Sequence, residues 1–452
     1  MKPRKSSIPL LLFLGLCISQ LSASGQPVNT PNSDSGRKPH TNAVAELQRL
    51  LEQDDSFRKA GDSMGRLKVA RQLRPFLHEA GDAILATAHA WSVVRDSSMA
   101  LATLNDYARM GLASETISNG SDKKFAWLSN NPRFKEISVL LQQNATPLSH
   151  AEVVVHFADT GYLAEDIDYD EGDDSFLFTS ILQHAVFRLS RDGACRKFAS
   201  SPDGHPMMAI KIDRHRHLVW ATEIAMPGFD DWPDTAKGCS SVVCFDLRSG
   251  ALKQKISAPD GAQWGDLTLD AQGNPIVSDG QSGAIFQLRG DAWRRLDRGD
   301  FISPQTMALA GNGKSLIVPD YVRGLAVLNI STGEVSWIRN NAIQPCALNG
   351  IDGVYAQGDR LFITQNGVDP ERVVQLQLDK QGRTLRGSTI IERATPLLGE
   401  PTHGVLVGAD FYFIANSGWD ILDRHGKIKP GARMTPPVLM RYRPKPKEAS
   451  PL

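Results

Sequence analysis

From about residue 151 onward, short apolar runs alternate with polar turns, and the alternation repeats six times. Each unit is an apolar strand ending in Asp or a turn, a strand of large apolar residues, a polar loop and another apolar strand. The copies read IDYDEGDDSFLFTSILQHAVFRLS from Ile167, IKIDRHRHLVWATEI from Ile210 and LTLDAQGNPIVSDGQSGAIFQL from Leu267. They continue with MALAGNGKSLIVPDYVRGLAVLNI from Met307, VYAQGDRLFITQNG from Val354 and VLVGADFYFIANSGW from Val405. One such unit cannot bury both faces of its own sheet, so repeats of about 40–50 residues pack face to face around an axis. The pattern predicts a mainly β chain whose residues 151–445 form a six-bladed β-propeller. AEVVVHFA at 151–158 alternates like a strand before the first full unit, while the last unit, ending in VLMRYRP at 438–444, lacks an outer strand. The early strand is therefore expected to complete the final blade and remove its open edge.

Residues 42–145 change to a helical period. Val44, Leu47, Leu50 and Leu51 share one helix face, and AILATAHAWSVVRDSSMALATLNDYARMGL carries helix-hairpin spacing with Gly111 as the stop. This stretch and FAWLSNNPRFKEISVLL look similar to tetratricopeptide units. One or two units are fewer than the three or so a solenoid needs, so they are expected to form a small cap leaning on the propeller. A groove for a protein partner is the lesser alternative.

Lys2, Arg4 and Lys5 precede an apolar run from Ile8 to Ile18, and Ser22-Ala23-Ser24 offers a small-residue cleavage site. That arrangement predicts a signal peptide over 1–24, a disordered linker over 25–41, and a secreted or periplasmic mature chain without membrane insertion. Fifty basic and fifty acidic residues balance, which argues against a nucleic-acid partner. Cys195, Cys239, Cys244 and Cys346 remain after cleavage; Cys239 and Cys244 either close a small disulfide loop or stay free thiols. Their spacing does not suit zinc.

In a propeller, the loop entering each innermost strand delivers side chains to one end of the central channel. Those positions hold Glu165 and Asp166, Met207 and Met208, Gly265 and Asp266, Gln305, Asn349 and Asp352, and Thr402 and His403. Oxygen donors converging on an axis suit a hard divalent cation such as calcium, and without one Glu165, Asp266 and Asp352 repel each other. Asp170, Asp213, Asp270 and Asp359 follow the inner strands and read as turn residues. Asp320, Tyr321, Arg323 and Asn366 end second strands and are expected at the far end of the blades or in turns. His403 is placed to act as a general base if it faces the channel, with packing between blades as the plainer role. Nucleophile-elbow, phosphate-loop and His-Glu-x-x-His motifs are missing.

Over roughly 160–420, and most sharply in LNGIDGVYAQGDRLFITQNG, the chain resembles the regucalcin/gluconolactonase (senescence marker protein) family of six-bladed propellers. The resemblance implies a calcium-type cation at the channel mouth and hydrolysis of a lactone or related ester. Glu165 in AEDIDYD and Asp352 in IDGVY would be metal ligands, Asp352 also the base. Gln305 stands where the family carries Asn, and Gly265-Asp266 where it carries Asn-Asp. Asn349 is a further candidate oxygen donor. HLVWATEI and CSSVVCFDLRSGALKQKISAP are also similar to the yellow/major royal jelly propellers, which implies the alternative of a non-catalytic scaffold for a small molecule or partner.

Overall fold

The computed structural model describes residues 42–226, 239–259, 261–423 and 425–445. The expected signal peptide and linker lie outside the described residues. Among the described residues six sheets follow one another around a channel, antiparallel apart from the parallel pairing of Arg339–Asn340 with Thr384 and Leu385, and preceded by helices between residues 43 and 144. Blade 1 comprises Ala164–Asp170, Ser175–Ser180, Ala185–Leu189 and Cys195–Ser200. Blade 2 comprises Met207–Asp213, Leu218–Ile224, Ser240–Asp246 and Leu252–Ser257, and blade 3 Trp264–Leu269, Pro275–Asp279, Ala284–Arg289 and Ala292–Arg295. Blade 4 has Ala308–Leu309, Ser315–Asp320, Gly324–Asn329 and Val335–Trp337, and blade 5 Gly353–Gln357, Arg360–Gln365, Arg372–Leu378 and Thr384–Arg393. Blade 6 takes Gly404–Val407, Asp410–Ile414 and Val438–Tyr442 from the end of the chain. Its outer strand is Glu152–His156, with Val153 opposite Met440 and His156 opposite Val438. The ring thus closes on the early strand, as the pattern predicts.

Alternating apolar side chains of neighbouring blades interlock into clusters such as Ile317, Ile363 and Leu376 between blades 4 and 5. Around the channel, threonine hydroxyls at second-strand ends and in one entry loop staple four pairs of neighbouring blades. Thr179 donates to the Met208 carbonyl, Thr222 to Gly265 (2.9 Å), Thr364 to Thr402, and Thr402 to Glu165 (2.8 Å). Asp166 and Asp168 do the same for the inner strand of blade 2, accepting from the Ile210 and Ile212 backbone N–H groups at 2.9 and 2.7 Å. Asp170, Asp213 and Asp270 cap their own hairpins through backbone N–H groups.

The helices form a cap whose core is continuous with the propeller. Asn42, Asp62, Asp96 and Asn131 each accept a backbone N–H at a helix start, which sets where the four helices begin. Ala347 and Val368 of the propeller pack into the cluster of Ile84, Leu104 and Phe134; Ile302 and Val322 join Leu47 and Leu77. The expected leaning cap is therefore a docked one. Cys239 and Cys244 are free thiols, one exposed and one buried. They flank most of the extended strand Ser240–Asp246, and five residues at about 3.3 Å each separate them far beyond disulfide reach. Among the described residues no helix is long and apolar enough to cross a membrane.

Candidate functional site

The inner strands of blades 1, 2 and 3 each begin with an irregular register, between Ala164 and Ile167, Met207 and Ile210, and Trp264 and Asp266. Such bulges re-aim side chains at a strand end, which turns Glu165 and Asp266 toward the channel mouth. Asp352 arrives from the tight loop ahead of Gly353–Gln357. There a carboxylate oxygen of Glu165, one of Asp352 and a ring nitrogen of His403 lie within 4.8 Å of one another. All three residues are buried.

Each carboxylate has one oxygen fixed by a neutral donor. Trp419 Nε1 donates to Glu165 Oε2 at 2.6 Å, and Asn366 Nδ2 donates to Asp352 Oδ2 at 2.8 Å. The Tyr321 hydroxyl in turn donates to Asn366 Oδ1 at 3.1 Å. Asn366 and Tyr321 are thus part of the site, not of the far end of the blades. The reason is antiparallel pairing: the end of a second strand lies beside the start of the first, as in the pairing of Gly353 with Thr364. Two glycines make this possible. Gly350, at φ +66°, would meet the Gly367 backbone at 2.5 Å with a Cβ, and a Cβ on Gly367 would meet the Tyr321 ring at 2.5 Å. Only hydrogen at both positions lets the two loops close and set Tyr321 against Asn366.

His403 occupies the centre of the mouth. Its Nδ1 donates to the Glu165 carbonyl at 2.9 Å. Its Nε2 lies 2.8 Å from Thr306 Oγ1 and 3.3 Å from Asp266 Oδ1. The Thr306 hydroxyl donates to Asp266 Oδ1 at 2.6 Å, so its oxygen accepts from Nε2 and both ring nitrogens carry hydrogen. Burial works to lower the His403 pKa, but Asp166, the bond to Asp266, Asp352 and Glu165 outweigh it and push it up to about 10. The ring is an internal cation. In this arrangement both nitrogens are engaged in internal bonds, so action as the expected general base would require the ring to give up its bond to Thr306.

Burial and the carboxylates of Asp352 and Asp266 push Glu165 up to about 8, against the pull of His403 and Trp419. Burial likewise raises Asp352 to about 6, with Asp266 adding to it and His403 and Asn366 opposing. Among the described residues, Glu165, Asp352, Asp266 and Asp166 lie against His403 and Lys211, whose ammonium lies 2.7 Å from Asp166. Fully ionised, these four carboxylates outnumber the two cations by two, a surplus that a divalent ion would offset and to which Glu400 adds. The oxygens left for it are those of Glu165 and Asp352, because Asp266 is spent on Thr306, His403 and Ser278. Two carboxylates fit a magnesium-like ion, which keeps several waters of its own, and fit calcium with its six to eight oxygens less fully.

Of two further expected donors, Asn349 has its oxygen engaged elsewhere and Gln305 its amide nitrogen. Gln305 turns its amide to Ser303 in its own loop, at 3.0 Å to the hydroxyl, while Thr306 reaches the axis; neighbouring residues of an extended segment point to opposite sides. Asn349 Oδ1 accepts the Gly81 backbone N–H at 3.0 Å and so anchors the first turn of the cap helix Gly81–Val93. Sequence reasoning did not single out Thr306 or place Asn366; the second-strand pairing rule is the signal that finds Asn366.

No protein-family model matches the chain, and no curated protein matches it in sequence. Among solved structures it is similar to virginiamycin B lyase from Staphylococcus aureus, at 12% identity and TM-score 0.41, over 65% of this chain and 88% of that one. It is also similar to a gluconolactonase from Xanthomonas campestris (13% identity, TM-score 0.43, 66% of this chain and 96% of that one). A luciferin-regenerating enzyme shows 10% identity and TM-score 0.44, over 66% of this chain and 96% of that one. Identities this low concern the fold, and no activity is carried across from them.

Proposed function

We propose that the chain is an exported, divalent-cation-dependent hydrolase that opens a lactone or related ester at the channel mouth. One observation carries the reading: two buried carboxylates, Glu165 and Asp352, converge while each has one oxygen pinned by a neutral N–H donor. Glu165 and Asp352 would hold the cation, which when bound polarises a carbonyl as a Lewis acid. Asp352, oriented by Asn366, accepts a proton from water as the water oxygen adds to the carbonyl carbon. The ring C–O bond then breaks, and the proton passes to the departing alkoxide to give the hydroxy acid. His403 holds the Glu165 strand in place and supplies a fixed positive charge beside the carboxylates. A ligand-binding propeller without turnover is the second reading, favoured by the commitment of both His403 nitrogens to internal bonds.

The test is metal analysis of the purified protein, thermal melting with calcium or magnesium, and a lactone screen, each repeated for Asp352→Asn. The hydrolase reading expects a bound ion, a rise in melting temperature on metal addition, and loss of both that rise and turnover in Asp352→Asn. Without metal the variant should melt no lower than wild type, because it removes one of two repelling carboxylates. Absence of any metal effect on wild type rejects the reading. A metal effect without turnover of any lactone or ester turns it to the binding propeller.

A further inference from the structure

Beside Glu165 the mouth carries an apolar wall. Leu163, Ile181 and Leu422 are buried beneath it, and Met208, Met434 and Trp419 lie half-buried over them. These side chains come from separate loops: Met208 from the entrance of blade 2, Trp419 and Met434 from the loop joining the second and third strands of blade 6. The wall is continuous with the site, because the Trp419 indole that packs in it also donates to Glu165 Oε2 at 2.6 Å. It presents thioether and hydrocarbon, groups that offer nothing to a polyhydroxylated ligand and adapt readily to an apolar one.

Resting on the hydrolase reading, we infer that the substrate is a lactone or ester bearing an apolar arm, and that the arm lies along Met208, Trp419 and Met434. Sugar lactones, whose hydroxyls gain nothing from the thioether and hydrocarbon of Met208 and Met434, are then poorer substrates. Burying several methylenes against the wall favours the armed substrate by about tenfold or more over the bare ring.

The experiment separates binding from turnover. Binding of a non-hydrolysable five-membered lactam, bare or with an octyl arm, is measured by calorimetry on the full protein and on Met208→Ser and Met434→Ser. Hydrolysis of the corresponding lactones is measured in parallel. The inference expects the armed lactam to bind about tenfold or more tightly than the bare ring, and each serine variant to cut that ratio several-fold. Two variants on different loops guard against one that fails to fold. Equal binding of the two lactams, a ratio unmoved in both variants, or binding of neither overturns the inference. The preference in binding without turnover of either lactone supports the apolar subsite and rejects the hydrolase reading alone.

Discussion

Arg372 offers the sharpest test of how the cap is held. Its side chain is 1% exposed and faces carbonyls and a side-chain amide where a carboxylate is the usual partner of a buried guanidinium. Nη1 donates to the Met110 and Gly111 carbonyls at 3.2 and 3.1 Å, just beyond the helix Ser97–Arg109, and Nε donates to Gln365 Oε1 at 2.6 Å. A helix C-terminus collects orphan carbonyls and partial negative charge, so it serves as the counter-charge. Arg372→Ala leaves three buried acceptors unpaired and opens a cavity. Each lost acceptor costs about 1–3 kcal/mol, and recovery of guanidinium solvation offsets part of the sum. The expected net loss is about 3–5 kcal/mol. Arg372→Lys should recover little, since an ammonium cannot span both the helix end and Gln365. Urea unfolding monitored by tryptophan fluorescence gives the stability change, and limited proteolysis shows whether the cap loosens first. A loss below about 1 kcal/mol with unchanged proteolysis would refute the reasoning.

The pH dependence of the metal-free protein follows from the raised pKa values in the mouth. Glu165 (ordinary value 4.5, about 8 in the fold) and His403 (6.5, about 10 in the fold) both bind protons more tightly when folded. Their stabilising protonation is fully present below the unfolded values and is lost as pH rises through the folded ones. Each group contributes about 1.4 kcal/mol per pH unit between its two values, and Asp352 (3.8, about 6 in the fold) adds below pH 6, so stability should fall by about 1.5–2.5 kcal/mol per pH unit between about pH 5 and 8, and a saturating divalent ion should flatten that slope. Denaturant midpoints across that range check it, and a slope that is flat or rising without metal counts against the site as described. Removing Glu152–His156 exposes the edge of blade 6 and opens the ring, so circular dichroism should report loss of the β-signal of the whole propeller; a folded five-and-a-half-bladed product would contradict closure through that strand.

The repeat, the helical cap and the closing strand were legible in the chain because each depends on local periodicity. Alternation in the six units marks strands that must be buried on both faces, and the missing outer strand of the last unit has one economical donor. Glu165, Asp266 and Asp352 were legible for the same reason, since a blade's entry loop is a fixed place in the repeat. The tertiary structure decided what those positions do. Whether residue 305 or 306 reaches the axis turns on one step of backbone alternation, which a repeat boundary known to within a residue does not settle. Asn349 looked like a channel donor until the cap's helix start claimed its oxygen, a contact spanning 268 positions of sequence. Asn366 and Tyr321 joined the site through antiparallel pairing and a glycine–glycine approach within blade 5 that seats Tyr321 of blade 4. The charge on His403 was decided last and least locally: it depends on carboxylates from blades 1, 3 and 5 meeting in a space that water does not screen.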